Sequence, residues 1–161
     1  MSNVYAAPAA DLSGAISSAD TLPFALNGRI GRLRYLGYVI ALYFLMGVGV
    51  ALLEPLLAGG PVPSAVLSSV AGIGFLVAYM IVARRRMHDI GLGGWMILCM
   101  FIPFVNMYFG LVMLFKRGDD GNNEFGPEPS ANSWGVKALV FGIPALTLIG
   151  IIAAAVPPRV K

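Results

Sequence analysis

Long uncharged runs of mostly apolar residues alternate with short polar connectors along the chain. Four runs contain 18 or more residues: 36–53, 66–83, 95–115 and 138–156. A helix needs about 20 apolar residues to cross the hydrocarbon core of a bilayer. None of the runs alternates with the period of two that is typical of membrane barrel strands. The pattern predicts an all-α integral membrane protein with about four hydrophobic helical segments.

The third run is broken by Pro103 and Asn106. Proline removes a helical hydrogen bond, and asparagine brings a polar group to the middle of the run. One interpretation is a kinked helix that crosses the membrane once. The other is a re-entrant hairpin of two half-helices, 95–102 and 105–115, with both ends on one side. The charges of the flanking loops barely separate the two interpretations, and the break favours the hairpin.

Composition and charge placement narrow the class of protein. Hydrophobic residues make up 58% of the chain and charged residues 12%, whereas soluble domains carry about 25% charged residues. This balance excludes most soluble enzymes and nucleic-acid-binding proteins. Arginines precede the first run and follow the second, while connector 54–63 has no Lys or Arg. Because basic loops stay in the cytoplasm, we expect a multi-pass protein with a cytoplasmic N-terminus.

The remaining segments predict boundaries and helix contacts. Residues 1–23 lack the basic and apolar regions of a signal peptide, which indicates a flexible tail. Connector 54–63 is rich in Pro and Gly and is expected to end the first helix. Small residues four positions apart, such as those at 47 and 51, 68 and 72, and 150 and 154, suggest close helix packing, either within the monomer or between two copies.

Three polar motifs stand between the apolar runs: FALNGRIGRLRY at 24–35, RRMHDIGLGGW at 85–95 and GDDGNNEFGPEP at 118–129. In this order they resemble the small bacterial inner-membrane proteins grouped as domain of unknown function family 805. Leu36 and Met96 stand where the family often has tryptophan. The resemblance implies an inner (plasma) membrane location, a family-like core over 24–130, and an added C-terminal transmembrane helix with a short tail over 131–161. The resemblance implies no enzymatic reaction.

If the hairpin interpretation holds, guanidinium, imidazole, carboxylate and amide groups of the motifs meet on one cytoplasmic face. Arginine binds phosphate oxygens bidentately, so this face is a candidate site for an anionic lipid headgroup. The candidate residues are Arg29, Arg32, Arg86, His88, Asp89, Asn123 and Gly126. The simpler alternative is structural: terminal arginines set the topology, and Asp89 pairs with a motif arginine to lock the loop.

Catalysis and metal binding are not expected. His88 stands beside Asp89, and histidine titrates near neutral pH, but adjacent residues need not face one another and the motif supplies no nucleophile. One histidine and one cysteine exclude His-rich and cysteine-cluster metal sites, and we expect no cofactor.

The sequence therefore predicts a non-enzymatic inner-membrane protein. Its expected partners are the lipid bilayer, in particular anionic phospholipid, or an unknown protein in a membrane complex, and nucleic acid is not among them. Two alternatives remain open. One is a small transporter or channel component that uses the break at Pro103 and Asn106. The other is a membrane-embedded enzyme that uses His88 and Asp89.

Overall fold

The computed structural model describes residues 25–57, 60 and 63–155, so the predicted tail 1–23 lies outside the described residues. All regular elements within the described ranges are helical. They are α1 (Arg32–Leu57), α2 (Ser64–Asp89), a 3-10 helix (Gly94–Phe101), α3 (Pro103–Phe115) and α4 (Trp134–Ala155). Helices α1, α2 and α4 are each long and apolar enough to cross a membrane. The predicted all-α membrane fold is confirmed.

The broken third run forms a re-entrant hairpin. The 3-10 helix and α3 would be about 16 and 20 Å long at their usual rise per residue, less than the roughly 30 Å of a bilayer core. At the entrance, a Cβ added to Gly94 would lie 2.8 Å from His88 Nε2. At the exit, Lys116 Nζ donates to Ile90 O at 3.2 Å. Both ends of the hairpin therefore lie beside the last turn of α2, which excludes the kinked-span alternative.

Pro103 occupies the first turn of α3. Its missing N–H costs no helical hydrogen bond there, and its fixed φ suits the start of a helix. The preceding Ile102 is extended, with φ −94° and ψ 117°. The predicted first half-helix is a 3-10 helix, and the second half begins at the proline itself. The break thus marks the turn of the hairpin.

Helix α1 lies at the centre of the bundle and contacts α2, α3 and α4. A Cβ added to Gly37 would lie 3.3 Å from Val140 Cγ2, so this glycine lets α4 approach α1 closely. The glycines of the predicted small-residue pairs, Gly47, Gly72 and Gly150, have nothing within 4 Å of an added Cβ. Within the single chain, close helix contacts do not occur at these glycines, and α1 and α4 meet tightly nearer to their first turns instead.

The first helix also ends later than predicted. Helix α1 continues through Pro55 to Leu57 rather than ending at the start of connector 54–63. Proline blocks one hydrogen bond to the residue four positions earlier, and near a C-terminus few further bonds depend on it. The last turn of the helix is therefore retained.

The buried core lies where the hairpin meets the first turns of α1 and the last turns of α2. It contains Ile30, Tyr35, Val82, Ala83, Met87, Ile97, Phe109 and Met113. The middle of the spanning helices is instead exposed, as at Leu45, Ile73 and Ile151. Apolar side chains are stable in that position when lipid surrounds them. One end of the bundle therefore has a dense interior, and the remainder presents apolar surface to lipid.

Candidate functional site

Three segments meet at one end of the bundle: residues 25–31, the last turn of α2, and loop 116–133. We call this region the polar end. Ile30 N donates to Arg85 O at 3.4 Å, which joins the first segment to the second. Asp119 N donates to Asp89 O at 2.7 Å, which joins the loop to the same turn. The three sequence motifs, which are spread over residues 24–129, thus form one structural unit.

Asp89 is the centre of this unit. Its side chain is almost fully buried, and both neighbouring arginines, Arg29 and Arg86, are completely buried. Arg29 donates to Asp89 Oδ1 through Nε at 3.3 Å and through Nη2 at 3.2 Å. Arg86 donates to Asp89 Oδ2. The prediction that Asp89 pairs with a motif arginine is confirmed, and the carboxylate bridges two arginines rather than one.

The two arginines also bind main-chain carbonyls of the hairpin and the loop. Arg29 donates to Gly121 O at 2.6 Å, to Gly126 O at 3.2 Å and to Asp119 O. A guanidinium has five N–H donors, so these bonds and the two to Asp89 occupy all of them. Arg86 donates to Met113 O at 2.8 Å and to Lys116 O. Arg86 therefore ties the end of α3 to α2, and Arg29 ties the following loop to Asp89 of α2.

Asn123 and Phe125 fix the tip of the loop. Asn123 Nδ2 donates to His88 O at 2.9 Å and to Asp119 Oδ2 at 3.2 Å, while its Oδ1 accepts from Phe125 N at 2.9 Å. The Phe125 ring stacks on the His88 ring with centroids 4.1 Å apart and planes 8° apart. Gly126 pairs with Asn123 through two main-chain hydrogen bonds of 3.1 Å. The Asn123 and Phe125 side chains thus hold the loop against the last turn of α2.

Two glycines allow the close approach of loop and helix. A Cβ on Gly118 would lie 2.7 Å from Asp89 Cγ and would overlap its carboxylate. Gly91 has φ +76°, and a Cβ there would lie 2.7 Å from Asp119 Oδ2. Residues with side chains seldom adopt positive φ. Any side chain at either position would push the loop away from Asp89.

Further cations surround the buried unit at half-buried or exposed positions. We call these five residues the rim cations: Arg32, Arg84, Lys116, Arg117 and Lys137. Several of them donate to main-chain carbonyls, for example Arg32 to Phe115 O at 3.3 Å and Arg84 to Leu26 O at 3.1 Å. Arg117 forms an exposed ion pair with Asp120 at 2.8 Å.

The structure brings together nearly all of the predicted site residues. Arg29, Arg86, His88, Asp89, Asn123 and Gly126 share the polar end. Arg32 lies at the rim, and headgroup binding by any of these residues stays a prediction. Asp89 is bonded to arginines, while the His88 ring stacks on the Phe125 ring. Asn106 is exposed near the deep turn of the hairpin, far along α3 from the polar end.

Some residues of the site were missed from the sequence. Arg34 is almost fully buried and donates to Ser130 Oγ at 3.1 Å and to Ala131 O at 3.4 Å, so it ties the start of α4 to α1. Gly118 and Phe125 lie within the quoted third motif, but their partners on α2 are about 30 residues away in sequence. Their position within that motif is the one signal that the sequence offered for them. In the described ranges, no group of three or more His, Cys, Asp or Glu residues is arranged to hold a metal ion.

These elements define an integral membrane protein with three spanning helices, a re-entrant hairpin and a polar end closed by buried arginines. The chain belongs to the DUF805 family, described as a protein of unknown function, whose model matches residues 23–127 and so ends before α4. It is similar to the inner membrane protein YhaH of Escherichia coli K12 and of Escherichia coli O157:H7. Each relative is 30% identical over 106 residues, which cover 64% of this chain and 85% of the relative. No solved structure matches the chain.

Proposed function

We propose that this chain is a non-enzymatic inner-membrane protein that holds anionic phospholipid headgroups at a polar end facing the cytoplasm. One observation carries the proposal. All nine Lys and Arg of residues 25–155 lie in the polar end or within about two helical turns of it, together with five of the six acidic residues in that range. The acidic residue at the opposite end is Glu54, near the end of α1. Because basic loops are retained in the cytoplasm, this asymmetry supports a cytoplasmic polar end and N-terminus.

The orientation is tested by thiol labelling. On a Cys99→Ala background, Asn122→Cys places a single thiol in the exposed loop of the polar end, and Gly60→Cys places one at the opposite end as the matched control. In intact cells, we expect a membrane-impermeant reagent to label the Gly60→Cys variant and to label the Asn122→Cys variant only after lysis. The reverse pattern would contradict the proposed orientation.

The rim cations support headgroup binding. Each basic residue near an anionic leaflet contributes about 1 kcal/mol of attraction. Trp95 and Trp134 are 70% and 82% exposed beside them, and indole rings favour the headgroup zone. The buried arginines have a different role in the proposal, since their donors are bonded within the protein. They hold the loop so that the rim presents its charges in a fixed arrangement.

The binding is tested with the full chain in detergent by native mass spectrometry. We expect phosphatidylglycerol to be retained over phosphatidylcholine of the same acyl chains. Replacing Arg84 and Lys137 together by alanine should reduce that preference about thirtyfold, if each charge contributes the roughly 1 kcal/mol estimated above. The matched control exchanges Arg84 for lysine and Lys137 for arginine, keeps both charges and should keep the preference. Equal retention of the two lipids by the wild-type chain would contradict the proposal.

A further inference from the structure

A groove of about 570 Å³ opens at the polar end between the first turn of α1, the last turn of α3 and the loop. One wall is apolar and is formed by Leu33, Leu36 and Leu114. Leu36 lies one turn further into α1 than Arg32, so this wall continues towards the lipid-facing part of the helices. The other wall is polar and contains charged side chains of both signs. The groove thus changes from charged to apolar, as a phospholipid does from its headgroup to its acyl chains.

The charges that remain available in the groove are mixed. Asp89 borders it, but both of its carboxylate oxygens are bonded to buried arginines. The other charged lining residues are Arg32, Arg117, Asp119, Asp120 and Glu128. A headgroup with only a phosphate would meet three carboxylates, and a headgroup with only a cation would meet two guanidinium groups. A headgroup that carries both charges avoids either repulsion.

We propose that this groove binds a zwitterionic phospholipid headgroup with a primary ammonium, of the phosphoethanolamine class. The phosphate lies at Arg32, and the ammonium lies between Asp120 and Glu128. The assignment rests on the proposed headgroup-binding function and adds a second lipid class at a defined position. It is separate from the attraction of anionic lipid by Arg84 and Lys137, which do not line the groove.

The side chains named here have free hydrogen-bonding capacity. Arg32 uses Nη1 for Phe115 O, which leaves Nε and Nη2 for a phosphate. Among the described residues, Asp120 forms its ion pair with Arg117, and both side chains are more than 70% exposed. Exposed pairs of this kind are weak, so Asp120 can exchange its partner. Glu128 accepts from Gly121 N through Oε2 at 3.3 Å and keeps Oε1.

The chemistry of the groove selects the primary ammonium over a quaternary one. A primary ammonium donates three hydrogen bonds to carboxylates, whereas a choline group donates none. Quaternary ammonium groups are recognised by the faces of aromatic rings. The residues that line the groove include no Phe, Tyr or Trp. Choline therefore gains neither of the interactions that would offset the loss of its hydration.

The test compares phosphatidylethanolamine, phosphatidylcholine and phosphatidylglycerol with identical acyl chains on the full chain by native mass spectrometry. We expect the ethanolamine lipid to be retained about three- to five-fold over the choline lipid, as for one or two exposed charge pairs. The double variant D120N/E128Q should bring this ratio to about one. The matched control Glu124→Gln removes a carboxylate of the same loop that borders a different cavity, and it should keep the ratio. Arg32→Gln should weaken retention of both lipids.

The outcomes separate the groove from the wider function. Equal retention of the ethanolamine and choline lipids, or an unchanged ratio in D120N/E128Q, would overturn the groove assignment. If phosphatidylglycerol is still retained over phosphatidylcholine in that case, the proposed headgroup-binding function stands without the groove. If none of the three lipids is retained above the detergent background, both fail. Gel filtration of each variant at the wild-type elution volume confirms that the comparison concerns folded protein.

Discussion

Asp89→Asn is the most informative single change, because one carboxylate pairs with two fully buried guanidinium groups. Both of its oxygens accept from arginine, and Arg29 and Arg86 are 0% exposed. Removing one partner of a buried ion pair costs about 3–5 kcal/mol, since the remaining charge is left without compensation. Asparagine keeps one acceptor oxygen and the main-chain bond to Asp119 N, so we do not double this figure for the second arginine. We expect a loss of about 3–5 kcal/mol in the free energy of unfolding.

The measurement is reversible unfolding of the purified chain in mixed micelles with increasing SDS, followed by tryptophan fluorescence. Trp95 begins the hairpin and Trp134 begins α4, so the two probes lie on either side of the loop that Asp89 holds. The matched control is Asp120→Asn, which removes a carboxylate of the exposed pair with Arg117. Because exposed pairs contribute about 0–1 kcal/mol, the control should shift the transition little. An Asp89→Asn effect no larger than that of the control would refute this account of the polar end.

A double-mutant cycle distinguishes the energy of the ion pair between Arg86 and Asp89 from a simple loss of packing. In the Arg86→Gln variant, the carboxylate has lost one of its two buried cations. Residues that share one ion-pair network show coupling energies of about 0.5–3 kcal/mol. We therefore expect the Arg86→Gln and Asp89→Asn double variant to be less destabilised than the sum of the single variants. Strict additivity would show that the two side chains do not interact.

Two further predictions concern packing at the same end. Gly118→Ala places a methyl group against the buried carboxylate and should cost about 1–3 kcal/mol of unfolding free energy, as overpacking does in cores. The control is Gly110→Ala, whose added Cβ has nothing within 4 Å. It should be neutral or stabilising in the same SDS titration. Phe125→Leu removes the ring that stacks on His88. It should cost about 0.5–1.5 kcal/mol of unfolding free energy in addition to the contribution of the lost apolar area. The control Phe141→Leu, on the exposed face of α4, should leave the SDS midpoint close to that of the wild-type chain. Equal midpoints for the Phe125 and Phe141 variants would count against the stacking interaction.

Local chemistry accounts for what the sequence predicted well. Runs of 18 or more apolar residues have few alternatives to membrane helices, because every main-chain polar group must be bonded within the segment in lipid. The pairing of Asp89 with an arginine was predictable for a similar reason, since a carboxylate beside several guanidinium groups seldom stays unpaired. Its bonds to Arg29 and Arg86 confirm that expectation.

Residue positions alone were a poor guide to helix contacts. Gly47, Gly72 and Gly150 belong to small-residue pairs with the spacing of close helix contacts, but a Cβ added to any of these glycines would have nothing within 4 Å in the described structure. Gly37, which the prediction did not single out, is the glycine on which α4 packs. Lipid tails cover an apolar helix face as well as another helix does, so which faces meet depends on the bonds that hold the helix ends. Here those bonds include the ones that Arg34 makes to residues just before α4.

The sequence by itself determined that this protein spans a membrane, that its polar residues fall into three motifs, and that the third apolar run is interrupted. Those properties follow from composition and from the hydrogen-bonding limits of proline, which act within a few neighbouring residues. Only the tertiary structure decided that the interrupted run turns back and that the motifs close around Asp89. Contacts between residues as far apart as Arg29 and Gly126 decide this. The cost of burying a guanidinium group is offset only when its acceptors from the other segments are in place.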